Sequence, residues 1–377
     1  MRRLLRWAAV AIAALLAVPI LVAMTEPPAP VTTAEFMLPG EEDADMRLVR
    51  QAQAAIAEHA LPDRFFKRDA HAKPHGCVTA WLDVDPDLDA RFRAGVFARP
   101  GWRYLAWVRF SNGTQPDDRT ADARGMAIKL MDVDGPKLLT KQAEPRTQDF
   151  VMINYHTFFL RDVFEYERFF AFQAADRPFA YFVGWNPFRW QLRELWHATH
   201  MMYQRVPSPL ATRYYSMSAY RLGGANVKFS AVPCRDQPSG TPPTSRGPNY
   251  LREALVAGLR AGDACFDFLV QAQDPQKEMP IEDPSVEWRE ADVPYVRIAR
   301  LEIPRQEFDS DAQNRFCENL SFSPWHTLED HRPLGNLNRA RRAVYQGVST
   351  RRHVRNAASA GEPHGWCLDL SGAPCPS

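Results

Sequence analysis

The 377-residue sequence predicts an α+β fold: an eight-stranded antiparallel β-barrel with inserted and C-terminal helices. Three observations predict it. Four runs rich in β-branched and aromatic residues, each bounded by Asp, Gly or Pro, come before residue 160. A helical stretch then occupies roughly 163–205, including FRWQLRELWHATHMMYQ. Four more strand-like runs follow it. Eight strands can close on themselves and remove their edges, leaving an interior filled by side chains or one small ligand.

In chain order, residues 1–24 read as an N-terminal membrane anchor or signal segment. Arg2, Arg3 and Arg6 precede an apolar run from Trp7 to Met24. That run exceeds the roughly 7–15 residues of a signal core and falls just short of the ~20 of a membrane span. The arginines keep the N-terminus cytoplasmic, so the remainder is expected to be exported. It would lie on the periplasmic side of the inner membrane, anchored there or released by cleavage. Residues 25–45 form a Pro-rich linker, and 46–60 an amphipathic helix. The predicted strands are 77–84, 103–111, 123–133 and 149–158, then 214–222, 226–234, 264–273 and 295–304. A helix spans 336–350 after the HRPLG turn, the folded domain ends near 353, and 354–377 is a tail. No repeat of 20–50 residues divides the chain.

A net charge of +1 argues against a nucleic-acid binder held by bulk charge. Six cysteines, an even number, suit disulfides in an exported chain. There is no C-x-x-C, and Cys367 and Cys375 are near enough in sequence to close a small loop. HAKPH places His71 and His75 at i, i+4, but Pro74 spoils the helix a zinc pair needs. HATH reads as a surface pair, and DVDG lacks the later ligands of an EF-hand.

The run RARRAVYQGVSTRRH, 339–353, sets Tyr345 among cations. Most such runs are solvated helix faces, and Arg339 and Arg342 are expected to be plain surface. Arg341, four residues before Tyr345, falls over its ring on a helix. A cation there favours phenolate over phenol.

Several segments in order resemble the haem catalases, specifically the shortened catalase-like proteins, from about residue 60 to 353. RDAHAK (68–73) resembles the segment around the family's distal histidine. WVRFSNG and DARGMAIKL are similar to its V-R-F-S and D-x-R-G-x-A-x-K strands. NYHTFFLRD (154–162) resembles the segment carrying the distal asparagine. RLEIPRQEFDSDAQNRFCENLSFSPWHTLEDHRPLG (300–335) and RRAVYQGVSTRR (341–352) resemble the approach to, and the body of, the proximal R-x-x-x-Y helix. The chain departs from the pattern at Ala70, Pro74, His75 and the residues after Tyr345. After residue 353 only a short tail is expected, where the family has a long C-terminal helical region.

The resemblance implies a catalase-like barrel binding haem, expected to be haem b, with Tyr345 as axial ligand to ferric iron. It implies His71 as the acid–base group, Asn154 orienting peroxide and Ser111 holding the His71 ring. Arg68, Arg109 and Arg352 would bind the haem propionates, Arg341 would tune Tyr345, and Phe159 would stack near the haem. The implied activity is peroxide decomposition or peroxidase action by O–O heterolysis. The substrate would be a small-molecule peroxide. The alternatives are lipid hydroperoxide peroxidation or rearrangement at the same haem, and an exported barrel that binds an apolar ligand without chemistry. The membrane is an expected partner through the N-terminal segment, and homo-oligomer formation is left open.

Overall fold

The structure is a computed structural model that describes residues 30–58, 66–68, 70–139, 146–235, 246–357, 361–363 and 365–366. The expected anchor (1–24) and the Cys367–Cys375 loop lie outside them. The strands are β1 (Pro74–Val84), β2 (Arg103–Asn112), β3 (Arg124–Leu130), β4 (Gln148–Ile153), β5 (Tyr214–Tyr215), β6 (Tyr220–Leu222), β7 (Ala225–Pro233), β8 (Ala264–Ala272) and β9 (Val296–Ile303). Their order is β5-β4-β3-β2-β1-β9-β8-β7-β6, all antiparallel, and β5 also pairs with β7. The sheet therefore closes into an eight-stranded barrel, with β5 and β6 as two halves of one stave.

The run 214–222 predicts a single strand there. The break has a local cause. Met217 takes a left-handed φ of 61°, and Ser216 Oγ donates to the Ser218 carbonyl at 2.9 Å. This is serine competing with the ladder for backbone groups.

Aromatic rings fill the interior. Phe150 lies 5.1 Å from Phe268 and 5.2 Å from Phe229, and Phe97 packs 5.9 Å from Phe268. Burying each such side chain contributes about 1.5–3 kcal/mol. With the interior occupied by side chains, a large flat ligand would have to sit against the outside of the barrel.

The helices are α1 (Glu41–Glu58), α2 (Val163–Ala174), α3 (Phe179–Phe182), α4 (Leu192–Met202), α5 (Tyr250–Ala261), α6 (Asp311–Asn319) and α7 (Asn336–Asn356). The expected helix 46–60 begins at Glu41, inside the stretch assigned to the linker. The Glu41 carboxylate accepts from the Leu38 amide at 3.0 Å and fixes that start. α7 packs on α1 and α2 through Ala340, Val344, Ala44, Leu48 and Val163. At its N-terminus Gly335 has φ 88°, and a side chain there would run into the Ile281 carbonyl.

Two disulfides join Cys77 of β1 to Cys317 of α6, and Cys234 after β7 to Cys265 of β8, with Cα–Cα distances of 5.5 and 5.6 Å. They point to an oxidising compartment. Among the described residues no helix is long and apolar enough to cross a membrane.

Candidate active site

β1 begins, β2 ends, β3 begins and β4 ends at one rim of the barrel. This rim gathers most of the residues that the motifs single out. His71 lies just before β1 and is held at three points by the end of β2. Its amide donates to the Gly113 carbonyl at 2.6 Å. Its carbonyl accepts from Arg109 Nη2 at 2.7 Å. Its Nδ1 meets Ser111 Oγ at 3.1 Å. Arg109 and Ser111 can act together because residues two apart share a strand face. The grip holds His71 at φ 58°, a conformation that non-glycine residues adopt at a cost and that recurs at functional sites.

Burial first, then the charges of Arg109, Arg341 and Arg68, push the His71 imidazole down to about 4. It is therefore neutral, and a proton acceptor, at physiological pH. Its ring rests on Gly125 of β3. A Cβ at that position would stand 2.4 Å from His71 Nδ1 and 2.8 Å from Ser111 Oγ.

Pro74 and His75, which depart from the family pattern, form a β-bulge where the β1–β2 register shifts. Proline fits there because it removes no ladder donor. His75 is buried with Nε2 2.9 Å from Asn112 Oδ1. It faces a polar network of Asn112, Arg124 and Asp118. His71 and His75 thus serve two different polar groups.

Asn154 follows β4. Its side-chain oxygen accepts from the Arg124 amide at 2.7 Å, and its own amide donates to the Arg124 carbonyl at 2.9 Å. This fixes the carboxamide and leaves Nδ2 buried with no hydrogen-bond partner. The predicted strand 149–158 accordingly stops at Ile153.

Arg68, Arg109 and Arg352 form a buried cluster around a single carboxylate, Glu318 of α6. Arg68 Nη1 lies 3.4 Å from Glu318 Oε2, and Arg352 Nη1 3.3 Å from Glu318 Oε1. Arg68 Nη2 also donates to the Cys317 and Leu320 carbonyls. Burial lowers all three guanidiniums. Arg109 is well below its ordinary range, with Arg68 and Arg352 adding to the burial, and Arg352 is at about 9. Arg109 Nε and Arg68 Nη1 make no hydrogen bond. Three cations facing one anion, with Arg109 Nε unpaired, fit a ligand carrying two acid groups.

On α7, residues 341, 345 and 352 share one face. Arg341 Nη2 donates to Tyr345 Oη at 3.2 Å, and its charge sits 5.3 Å from the ring centroid. Arg341 Nη1 donates to Asn338 Oδ1 at 3.1 Å. Burial pulls this guanidinium down, but Tyr345 and Tyr220 more than offset it and hold it above its ordinary range. Asn356 near the end of α7 exchanges two 2.8 Å hydrogen bonds with Phe66. This ties the helix to the segment that leads into Arg68 and His71.

Two expectations meet different surroundings. Arg339 is not surface. Its side chain is largely buried and pairs with Glu41 at 2.5 Å, Glu35 at 2.7 Å and Glu282 at 3.0 Å. All three acids lie far off in sequence, so nothing local announces them. Phe159 sits in an aromatic cluster, 4.9 Å from both Phe158 and Phe169. No ring contact joins it to Tyr345 or His71 among the described residues.

The motifs do not single out Glu318 or Asn338 as partners, nor Gly125 by itself. Their signals were the neighbour of a cysteine, a helical i−3 position and a glycine within a strand. No family model matches the chain, and no curated protein matches it. Solved structures do. A fungal catalase aligns with TM-score 0.62 at 18% identity, over 87% of this chain and 66% of that one. The fold is catalase-like. Catalase A from Saccharomyces cerevisiae gives 0.60 at 17%, over 87% and 68%. A bacterial catalase gives 0.58 at 17%, over 94% and 70%. This catalase-like chain spans about two thirds of the length of the solved catalases it matches.

Proposed function

We propose that this protein is a haem-dependent enzyme acting on peroxide, in which Tyr345 would hold the haem iron and His71 and Asn154 would handle the peroxide. One observation carries the reading: the Ser111-held His71 lies close enough to Arg341, which donates to the Tyr345 phenol, and to the Arg68–Arg109 part of the arginine cluster that all three charges act on its ring. The catalase-like fold supports it. Bound haem would supply the redox-active iron at which the O–O bond breaks.

The chain's own residues account for the rest. Arg68, Arg109 and Arg352 would take the two propionates. Arg341 donates to Tyr345 Oη, the oxygen that would bind ferric iron. His71 accepts a proton from the incoming peroxide at its free ring nitrogen and returns it to the departing oxygen. Ser111 on Nδ1 fixes the ring so that the other nitrogen faces the substrate. Asn154 Nδ2, the unused buried donor, orients the peroxide.

The purified protein should show a haem absorption band that survives dialysis and is lost in Tyr345→Phe. A colourless protein that haem cannot reconstitute would overturn the reading. Comparing oxygen release from hydrogen peroxide with decay of linoleic-acid hydroperoxide separates the two substrate classes. The disulfides are consistent with exported action, on the outer side of the membrane that the N-terminal segment would reach.

A further inference from the structure

The stretch between α2 and the barrel's return carries side chains that a soluble surface does not need. Phe179 is 63% exposed, Trp185 95%, Phe188 68%, Trp196 58% and Tyr203 72%. They fall within 25 residues of one excursion, α3, α4 and the turn between them. On α4 and its C-terminal end, positions 196, 200 and 203 share a stripe at i, i+4, i+7. Trp196 packs against His200 along it, ring centroids 3.8 Å apart. The opposite side of α4 is already satisfied. Leu195, Ala198 and Met201 pack into the Phe159–Phe182 cluster. The outward stripe is thus a second apolar face on a helix that has buried its first. Grouped exposed aromatics of this size mark an interaction surface.

The surrounding charge selects the occupant. From Arg177 to Arg205 the chain carries four arginines and one acidic residue. That acid, Glu194, is buried, while Arg177, Arg189 and Arg205 are exposed. Trp, Tyr and Phe interleaved with Arg is the composition that settles at the headgroup level of an anionic bilayer.

The position agrees. The chain enters the fold along residues 32–36. The Thr32 carbonyl accepts from Gln273 at 3.0 Å, and the Phe36 amide donates to Glu282 at 3.0 Å. Three residues past Glu282, Ser285 Oγ accepts from Arg193 of α4 at 3.0 Å. Only five residues, six Cα–Cα steps, lie between Met24, the end of the apolar N-terminal run, and Pro30. They span at most ~20 Å. Phe36 and Arg193 of α4 thus both contact the 282–285 loop, so the chain enters the fold close to α4.

We propose that the α3–α4 excursion is a membrane-docking surface that rests on anionic lipid beside the N-terminal segment. It stands apart from the haem reading, because its test reads contact rather than turnover. Full-length protein is inserted in vesicles of phosphatidylcholine, with or without phosphatidylglycerol, and backbone hydrogen exchange is followed over 179–205. Exchange there should slow severalfold when phosphatidylglycerol is present, and high salt should reverse the effect. Trp185→Ser, Phe188→Ser and Trp196→Ser together should return it to the phosphatidylcholine rate while the barrel strands exchange as before. Equal exchange in both lipids overturns the proposal. So does protection that follows the protein-to-lipid ratio instead of the phosphatidylglycerol content, which would assign the face to a second copy of the chain.

Discussion

Gripped by its amide, its carbonyl and Nδ1, His71 has little freedom to turn. A base so held has its role set by its charge. With its pKa depressed to about 4, it accepts protons at any pH above that. Peroxide turnover should therefore be flat from neutrality down to about pH 5 and fall as pH drops through 4; a pH–rate profile checks this. His71→Ala should keep the haem band and lose on the order of 10²–10⁴ in turnover. Gly125→Ala puts a methyl 2.4 Å from the ring nitrogen. We expect it to lower turnover by at least tenfold, the low end for losing a positioned acid–base group, with haem content retained. The segment RDAHAK made His71 legible, and WVRFSNG made Arg109 and Ser111 so. The need for glycine at 125 was not legible, because it arises from the ring of His71, more than fifty residues earlier in the chain. Arg339 was misread for the same reason: its three acids come from α1, the segment before it and the 282 loop.

Runs of β-branched and aromatic residues bounded by Asp, Gly or Pro revealed β2, β7, β8 and β9 to within a residue, because their side chains pack into the ring-filled core. The pattern could not show that 214–222 breaks, since the break comes from serine hydroxyls and one left-handed residue. α5 and α6 went unassigned between loops; neither stands in a run long enough to outweigh its Pro- and Asp-rich flanks. α6 is the element on which site and stability meet. Cys317 links it to β1, and the next residue is the carboxylate at the centre of the arginine cluster. Cys317→Ser should cost about 3–4 kcal/mol of stability, as removal of a cross-link closing a long loop does. Denaturant midpoints measure this. It should also weaken haem retention, because the Cys317 carbonyl that anchors Arg68 shifts with the helix. Dialysis against a haem acceptor reads that loss.

Over the whole molecule the buried titratable groups set an acid limit. Burial is the leading cause in every case. His71, His156 and His197 are depressed to about 4, and His75 and His331 to about 3. Asp45 and Glu165 oppose them, raised to about 7. Near pH 5 the unfolded chain would protonate the five histidines, while the folded chain keeps protons on the two acids. Unfolding then takes up a net of about three protons. Stability should rise with pH between about 4 and 6.5, which denaturant midpoints across that range will show; a flat profile would contradict this proton uptake.

The closure of the barrel carries one more consequence. β4 and β5 meet at a single register pair, Ile153 with Tyr215, whereas β1 and β2 run together along their whole length. A cask with one short stave leaks at that joint first. Asn154 is the residue next to it. Heat should therefore silence this protein while most of its hoops still hold, with the loss of activity coming several degrees ahead of the loss of β-structure.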